Sequence, residues 1–228
     1  MNAGQLSTSL ELLDHGARFE VMTANPVYEQ QLVQAGFQRA SGDLFVRYVD
    51  NPSGIQEIYE NFARHIEEIL LQHAGIKPVP WESALREFLR RVHGVELKWW
   101  LSGSAALAVR GIDIAPRDLD FAVADSQALG RLLHDALVEP VTRMREWVAE
   151  WFGRGFLGAL VEWVSDVRSP PVNGHGLEQG AEAASRVEFV QWEGHVIPVT
   201  PLDLQLVVAE RRGQRDRAEK IRRLLPER

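Results

Sequence analysis

Hydrophobic and polar residues alternate in two short stretches near the start of the chain. Residues 17–23 and 43–49 follow this alternation well enough to predict two strands. Between them, the segment from Pro26 to Phe37 has helical spacing and carries a proline in its first turn, where proline is tolerated. The beginning of the chain therefore predicts a helix between two strands.

Two longer amphipathic helices are expected next. Ser53 and Gln56 have the spacing of a capping box, so we predict that the first helix begins there. Its apolar residues recur at helical spacing until Gly75, which supplies a stop. The second helix is predicted from Trp81 to His93. Each helix has one apolar face, by which we expect it to pack.

From residue 95 onward the pattern changes to alternating strands and helices. Strands are predicted at residues 95–101, 118–123, 156–164, 187–190 and 195–199, the last two as a hairpin. Helices are predicted at residues 103–109, 126–137 (with Ser126 as its cap), 201–212 and 216–225, and a glycine- and proline-rich loop at 169–180. The expected class is α/β (α+β): an N-terminal α+β module, residues 1–94, and a small mixed sheet flanked by helices, residues 95–228.

Composition narrows the class of protein. The chain has 228 residues, of which 45% are hydrophobic and 25% charged, an ordinary globular composition. The absence of cysteine excludes disulfides, a thiolate zinc site and a cysteine nucleophile. No signal peptide and no apolar stretch long enough to span a membrane is visible, so we expect a cytoplasmic protein without a membrane partner.

Charge is distributed unevenly along the chain. The formal net charge is −7, yet residues 211–228 carry a net +5, which leaves −12 for residues 1–210. An acidic body argues against bulk nucleic-acid binding. The basic end of the chain is either a solvated helix face or a surface that meets a polyanion, a nucleoside triphosphate included.

The segment from residue 100 to residue 123 carries the candidate chemistry. An apolar strand runs into Gly103 and Ser104, and a helix opens at once, an arrangement whose free backbone N–H groups suit phosphate. Beyond a gap of 13 residues after Ser104, Asp118 and Asp120 share one face of the next strand. Neighbouring carboxylates repel unless a cation lies between them, and carboxylate oxygens suit Mg²⁺. The alternative is a solvated strand edge.

The combination of Gly103-Ser104 with Asp118-Leu119-Asp120-Phe121 resembles the nucleotidyltransferase superfamily, which has the fold of DNA polymerase β. The gap between the two motifs lies at the long end of that family's range. The segment looks most like small bacterial members, namely aminoglycoside and lincosamide nucleotidyltransferases and the toxins of AbiE-type toxin–antitoxin pairs. The resemblance covers roughly residues 95–225.

The resemblance implies a third carboxylate on a neighbouring strand. Glu162 is the best match and is also the one charge in the apolar run from Phe156 to Val164. Asp166 and Glu188 are alternatives. Glu162 can also be read as a strand residue that pairs with Arg154 or faces solvent.

The resemblance further implies a reaction. Mg²⁺ ions held by Asp118, Asp120 and Glu162 would bind an NTP, such as ATP, whose phosphates contact Gly103 and Ser104. A hydroxyl of the acceptor, oriented or deprotonated by Glu162, would attack the α-phosphorus, and pyrophosphate would leave. Cations for the leaving group are expected from Arg211 or Arg212, with Lys220 a weaker option, while Arg110 and Arg117 would hold the Asp pair in place.

Several alternatives stay open at the level of sequence. The acceptor is a small hydroxylated compound, an RNA end or a protein, and the AbiE-like appearance allows an antitoxin-like partner. The rival function is a non-catalytic module that kept the fold and binds a nucleotide or a partner protein, the latter through residues 1–94. The position of Glu162 relative to the two aspartates discriminates between the enzyme and the rival.

Overall fold

The computed structural model describes residues 6–50, 53–144, 147–168 and 176–225. They form two β-sheets and eight helices, which confirms the mixed α/β class. The strands are β1 (Ser7–Leu13), β2 (Gly16–Met22), β3 (Gln38–Ser41), β4 (Leu44–Val49), β5 (Trp99–Ser102), β6 (Leu119–Val123), β7 (Leu137–Arg143), β8 (Ala149–Phe156), β9 (Leu160–Val167), β10 (Glu188–Trp192) and β11 (His195–Val199). The helices are α1 (Pro26–Gln34), α2 (Ile55–His73), α3 (Trp81–Val92), α4 (Gly103–Ala108), α5 (Ser126–Leu132), α6 (Ala181–Ser185), α7 (Leu202–Arg211) and α8 (Arg215–Arg222), with a 3-10 turn at His134–Ala136.

The N-terminal sheet is antiparallel and has the strand order β1-β2-β4-β3. Its central strands β2 and β4 are the two that alternation predicts, and every second residue of β2 is buried. The edge strands β1 and β3 were not predicted. All four residues of β3 are exposed, so its side chains carry no alternation that would reveal a strand.

The second sheet is mixed and has the order β10-β11-β5-β6-β9-β8-β7. Strand β6 pairs antiparallel with β5 and parallel with β9. This register sets Asp120 between Ser102 of β5 and Glu162 of β9. The sheet therefore places one predicted carboxylate directly beside another, although the two are far apart in the sequence.

Two predicted elements around this sheet were wrong in their extent. The strand predicted at 156–164 is the end of β8 and the start of β9, joined by a turn at residues 157–159. The helix predicted at 126–137 ends at Leu132, and Leu137 already begins β7. Its cap is Asp125 rather than Ser126, because the Asp125 carboxylate accepts from the backbone N–H of Ala128 at 2.8 Å.

Two predicted starts were also wrong. The capping box at Ser53 does not form, since α2 begins at Ile55 behind Gly54, which has a φ of +86° and makes no side-chain cap. The strand expected from residue 95 begins only at Trp99. The predicted loop at 169–180 falls partly outside the described residues: only 176–180 is described, as a turn that leads into the unpredicted α6.

Residues before and after position 94 share one hydrophobic core. Phe88 of α3 stacks on Phe121 of β6 with ring centroids 3.9 Å apart, and both side chains are fully buried. One cluster of buried residues contains β2, α2, β6 and β9 side chains together. The division of the chain into two functional parts at residue 94 stays a prediction. No helix among the described residues is both long and apolar enough to cross a membrane.

Candidate active site

Three carboxylates converge at one end of the central strands. Asp118 precedes β6, Asp120 lies in β6, and Glu162 lies beside it in β9. One carboxylate oxygen from each lies within 4.8 Å of the others. Two oxygens bound to one Mg²⁺ are at most about 4.2 Å apart, so small side-chain rotations would bring all three to a single ion. The structure thus brings together the three residues that the sequence singled out as metal ligands.

Gly103 makes this geometry possible. It follows β5 with a φ of +64°, a left-handed conformation that favours glycine. A Cβ atom at this position would lie 2.3 Å from the Oδ2 atom of Asp120, which real structures essentially never show. Glycine therefore suits both the turn and the space that the Asp120 carboxylate occupies. Ser104 follows at the start of α4 and lines the same cleft.

The electrostatics of the two aspartates favour a bound cation. Burial, followed by the negative charge of Glu162, raises the pKa of Asp118 to about 6. Burial also raises the pKa of Asp120 well above its usual value, with further contributions from Asp118 and Glu162. These carboxylates resist ionisation as long as nothing neutralises them. A divalent cation among them would supply that charge, and three oxygen ligands form a donor set that fits Mg²⁺.

Glu162 is fixed by Arg154 on the adjacent strand β8. The Nε and Nη2 atoms of Arg154 both approach the Oε1 atom of Glu162, at 2.6 and 2.5 Å. Both Arg154 donors take Oε1, and the Oε2 atom accepts no hydrogen bond from the described residues, so it is open to a ligand. Two interpretations that the sequence left open, a metal-site carboxylate and a partner of Arg154, are therefore compatible.

The carboxylates lie in a cleft of about 740 Å³ between the sheet and the C-terminal helices. Arg117, Arg212, Arg215 and Arg217 line it, and within the described part of the chain none of them forms an ion pair. Burial lowers the pKa of Arg217. The basic end of the chain thus contributes guanidinium groups to the cleft, although only Arg212 was predicted there.

Two of the other predicted cations lie away from the carboxylates. Arg211 does not border the cleft, even though it is adjacent to Arg212 in the sequence. Lys220 donates to the backbone carbonyl of Asp113 at 2.9 Å and is also absent from the cleft lining. Of the cations expected to meet the leaving group, Arg212 is therefore the one that the structure brings to the cleft.

The remaining expectations concern Arg117, Arg110 and the two alternative carboxylates. Arg117 borders the cleft but forms no ion pair with either aspartate within the described residues. Arg110 was expected to hold the Asp pair, and that expectation is wrong, because its guanidinium donates to the carbonyl of Thr200 at 2.9 Å and to Glu188. Glu188 is thereby engaged outside the cleft. Asp166 is exposed and accepts a hydrogen bond from the hydroxyl of Ser165 at 3.1 Å. Glu162 is thus the carboxylate that joins the two aspartates.

A fourth carboxylate in the cleft was not found from the sequence. Glu178 is 4% exposed, and its Oε1 atom accepts a hydrogen bond from Nε2 of Gln205 at 3.0 Å. The same amide group donates to the carbonyl of Gly103 at 2.8 Å. Glu178 lies in a glycine-rich loop without periodicity, so its burial has no signature in the sequence. Through Gln205 it is linked to the turn after β5.

No family model and no curated protein matches the chain. Among the solved structures that are similar to it in part are the following two. A protein of Thermotoga maritima assigned as a nucleotidyltransferase is similar over 65% of this chain and 94% of its own, with 22% identity and a TM-score of 0.48. The antibiotic-resistance factor ANT(2'')-Ia is similar over 64% of this chain and 83% of its own, with 14% identity and a TM-score of 0.42. Identities and TM-scores this low do not define a function, so we infer the function from the residues of the site itself.

Proposed function

We propose that the protein is a Mg²⁺-dependent nucleotidyltransferase that transfers a nucleoside monophosphate from an NTP to a hydroxyl group. The observation that carries this proposal is the convergence of Asp118, Asp120 and Glu162 within 4.8 Å, inside a cleft lined by arginines that have no ion pair among the described residues. Carboxylates that bind a cation and guanidinium groups that bind phosphate are both needed to hold a metal–triphosphate complex.

The nucleotide would lie along the basic wall of the cleft. A volume of about 740 Å³ is in the range of small-molecule sites and is ample for a nucleoside triphosphate. Arg212 and Arg217 would bind the β- and γ-phosphates, with the backbone of Gly103 and the hydroxyl of Ser104 on the opposite side. Aromatic surface for a base or an acceptor is offered by two further residues of the cleft, Trp147 and Phe152.

Each group has a defined task in the reaction. Mg²⁺ bound by the carboxylates would neutralise phosphate charge and polarise the α-phosphorus. The Oε2 atom of Glu162, with Oε1 held by Arg154, would bind the cation and orient the acceptor hydroxyl beside it, and the proton of that hydroxyl would leave to solvent. A bond forms between that hydroxyl oxygen and the α-phosphorus, the bond from the α-phosphorus to the bridging oxygen breaks, and pyrophosphate leaves. Arg217 and Arg212 would stabilise the charge that develops on the leaving group.

The acceptor is a small hydroxylated compound, an RNA end or a protein. Glu178 lies in the same cleft, but it is 4% exposed and hydrogen-bonded to Gln205, so it does not select among these acceptor classes. The rival function, a nucleotide-binding module without catalysis, would use the same cleft. No surface among the described residues indicates an antitoxin-like partner.

Calorimetric titration with ATP, GTP, CTP and UTP in the presence of Mg²⁺ tests this proposal. The wild type is compared with Asp118→Ala/Asp120→Ala and with Asp14→Ala/Asp43→Ala, which removes two exposed turn carboxylates and serves as the charge-matched control. We expect Mg²⁺-dependent binding of at least one nucleotide by the wild type and the control, and none by the site variant. Absence of binding to all three proteins, or equal binding by all three, would contradict the proposal.

Incubation of the bound nucleotide, labelled at its α-phosphate, with candidate acceptors then separates the enzyme from its rival. Transfer of label to an aminoglycoside-like polyamine, to RNA or to protein identifies the acceptor class. Tight binding without transfer to any class, in the presence of Mg²⁺, favours the non-catalytic module.

A further inference from the structure

A row of charged side chains leads away from the candidate metal site across the sheet. Glu162 of β9 lies directly opposite Arg154 of β8, and Arg154 lies opposite Glu139 of β7. The Nη1 atom of Arg154 donates to Oε1 of Glu139 at 2.6 Å, while its other donors contact Glu162. Arg154 therefore bridges two carboxylates on the two strands that flank its own.

The row continues into the N-terminal sheet. Arg47 of β4 donates through Nε to the Oε2 atom of Glu139 at 2.7 Å. Its Nη1 atom donates to the carbonyl of Ala35, at the end of α1, at 3.0 Å, and Arg154 reaches the same carbonyl at 3.3 Å. Groups from residues 1–94 thus contact both Arg154 and its partner Glu139.

Neighbouring residues keep this row in place. A Cβ atom at Gly36, which has a φ of +89°, would lie 2.2 Å from Nη1 of Arg47, so the glycine leaves room for the guanidinium group. The side chains of Arg47, Glu139 and Arg154 are 18%, 6% and 12% exposed. Each of these buried charges depends on a neighbour of opposite sign, because removal of one residue would leave its partner buried without a counter-charge.

The geometry at Glu162 explains what such a row would do for a metal site. Both donors of Arg154 that face Glu162 take the same oxygen, Oε1. The planar guanidinium fork orients the carboxylate and keeps Oε2 free, which a lysine with its single ammonium group would not do. Groups that orient a metal-ligating side chain in this way commonly affect metal affinity by about 10-fold or more.

We propose that Arg154 is a positioning residue for Glu162, and that Arg47 and the Ala35 carbonyl, acting with Glu139, hold Arg154 from the N-terminal sheet. Residues 1–94 would thereby complete the metal site without contacting the metal. The inference rests on the proposed function in one respect, namely that Glu162 binds the cation.

The direction of the change in cation affinity distinguishes a positioning role of the arginines from a purely electrostatic one. Replacing an arginine by methionine removes a positive charge near the site, and charge alone would then tighten the binding of a divalent cation. If Arg154 and Arg47 position Glu162, the same substitutions weaken binding. The two explanations thus predict opposite changes in the same measured affinity.

Titration of the full chain with Mn²⁺, followed by electron paramagnetic resonance of the free ion, measures this affinity directly. The variants are Arg154→Met, Arg154→Lys, Arg47→Met and the control Arg18→Met, whose arginine lies on β2 and pairs with Glu11 and Glu20 on the same sheet. We expect Arg154→Met to bind Mn²⁺ roughly 10- to 100-fold more weakly, Arg47→Met about 3- to 10-fold more weakly and Arg18→Met as tightly as the wild type.

We expect Arg154→Lys to recover part of the Mn²⁺ affinity, because lysine restores the positive charge but not the planar guanidinium group. The double variant Arg47→Met/Arg154→Met should bind no more weakly than Arg154→Met alone, since Arg47 acts through Arg154. Should Arg154→Met fail to fold, Arg47→Met and Arg154→Lys carry the test. Unchanged or tighter Mn²⁺ binding in the arginine variants, with a wild type that binds, overturns this inference alone. A wild type that binds no Mn²⁺ overturns the proposed function, and the inference with it.

Discussion

At the scale of single residues, the site consists of ordinary carboxylates in an unusual environment. Asp118 and Asp120 resist ionisation because they are buried beside each other and beside Glu162. Gly103 adds to this arrangement by leaving the space into which the Asp120 carboxylate fits. The electrostatic cost of ionising these groups in the metal-free protein should be measurable as a loss of stability.

The substitution Asp118→Asn should stabilise the metal-free protein at high pH. The folded state raises the pKa of Asp118 from 3.8 to about 6, so it holds the proton more tightly than the unfolded chain does. Ionisation therefore destabilises the fold, and this loss develops as the pH rises from about 4 to above 6. We expect the free energy of unfolding of Asp118→Asn to exceed that of the wild type by up to about 3 kcal/mol at pH 8 and to equal it below pH 4. Urea unfolding in the presence of a chelator measures both values.

Saturating Mg²⁺ provides the complementary control. It should stabilise the wild type at pH 8 and have little effect on the Asp118→Asn variant, because this substitution removes one of the three carboxylates that would bind the cation. A variant that is no more stable than the wild type at pH 8 would contradict the electrostatic explanation of the site.

Much of the site could be predicted at this scale because its signals are local. Asp118 and Asp120 are two residues apart in the sequence, and Gly103-Ser104 is close enough to be recognised with them as one motif. Glu178 and Arg217 could not be found in this way. Their burial results from contacts with elements distant in the sequence, such as the hydrogen bond from Gln205 to Glu178.

At the scale of elements, periodic burial helped prediction but did not guarantee it. Strand β2 and helices α2 and α3 have periodic buried faces and were predicted, whereas the alternating edge strand β1, whose residues are all exposed or half-buried, was not. Strand β8 was missed over most of its length, because Gly153 and Gly155 interrupt its pattern. A Cβ atom at Gly153 would lie 2.1 Å from the indole of Trp163, so this glycine leaves the space that a side chain of the neighbouring strand occupies.

The start of helix α8 presents Arg217 to the cleft, while Arg222 near its end lies outside the cleft. Arg217 forms no ion pair within the described residues, whereas Arg222 pairs with Glu210 at 2.6 Å. We therefore expect Arg217→Met to bind the Mg²⁺–nucleotide complex roughly 10-fold more weakly, and the matched variant Arg222→Met to be unaffected. Calorimetry of both variants tests this expectation. Equal nucleotide affinities of the two variants would show that Arg217 does not bind the phosphates.

At the scale of the whole molecule, the two sheets share one core. Phe88 on one side of residue 94 stacks on Phe121 on the other, and Arg47 of the N-terminal sheet reaches Glu139 of the second sheet. A sequence boundary drawn from a change in pattern could not reveal this, since residues far apart in the chain form the contacts. The N-terminal region is therefore packed as part of the body that carries the site.

Thermal unfolding should accordingly occur in one cooperative transition. A shared core couples the two sheets, so the calorimetric and van 't Hoff enthalpies should agree. Differential scanning calorimetry of the full chain provides both values. Two resolved transitions, with the nucleotide shifting only one of them, would show that residues 1–94 fold independently of the site.

The central claim is that Asp118, Asp120 and Glu162 form one divalent-cation site. The most direct measurement is the stoichiometry and affinity of Mn²⁺ binding by the wild type, by Glu162→Gln and by Glu60→Gln, which neutralises an exposed glutamate of α2. We expect a saturable site in the wild type, binding at least roughly 10-fold weaker in Glu162→Gln, and no change in Glu60→Gln. Equal Mn²⁺ affinity in all three proteins would contradict the claim.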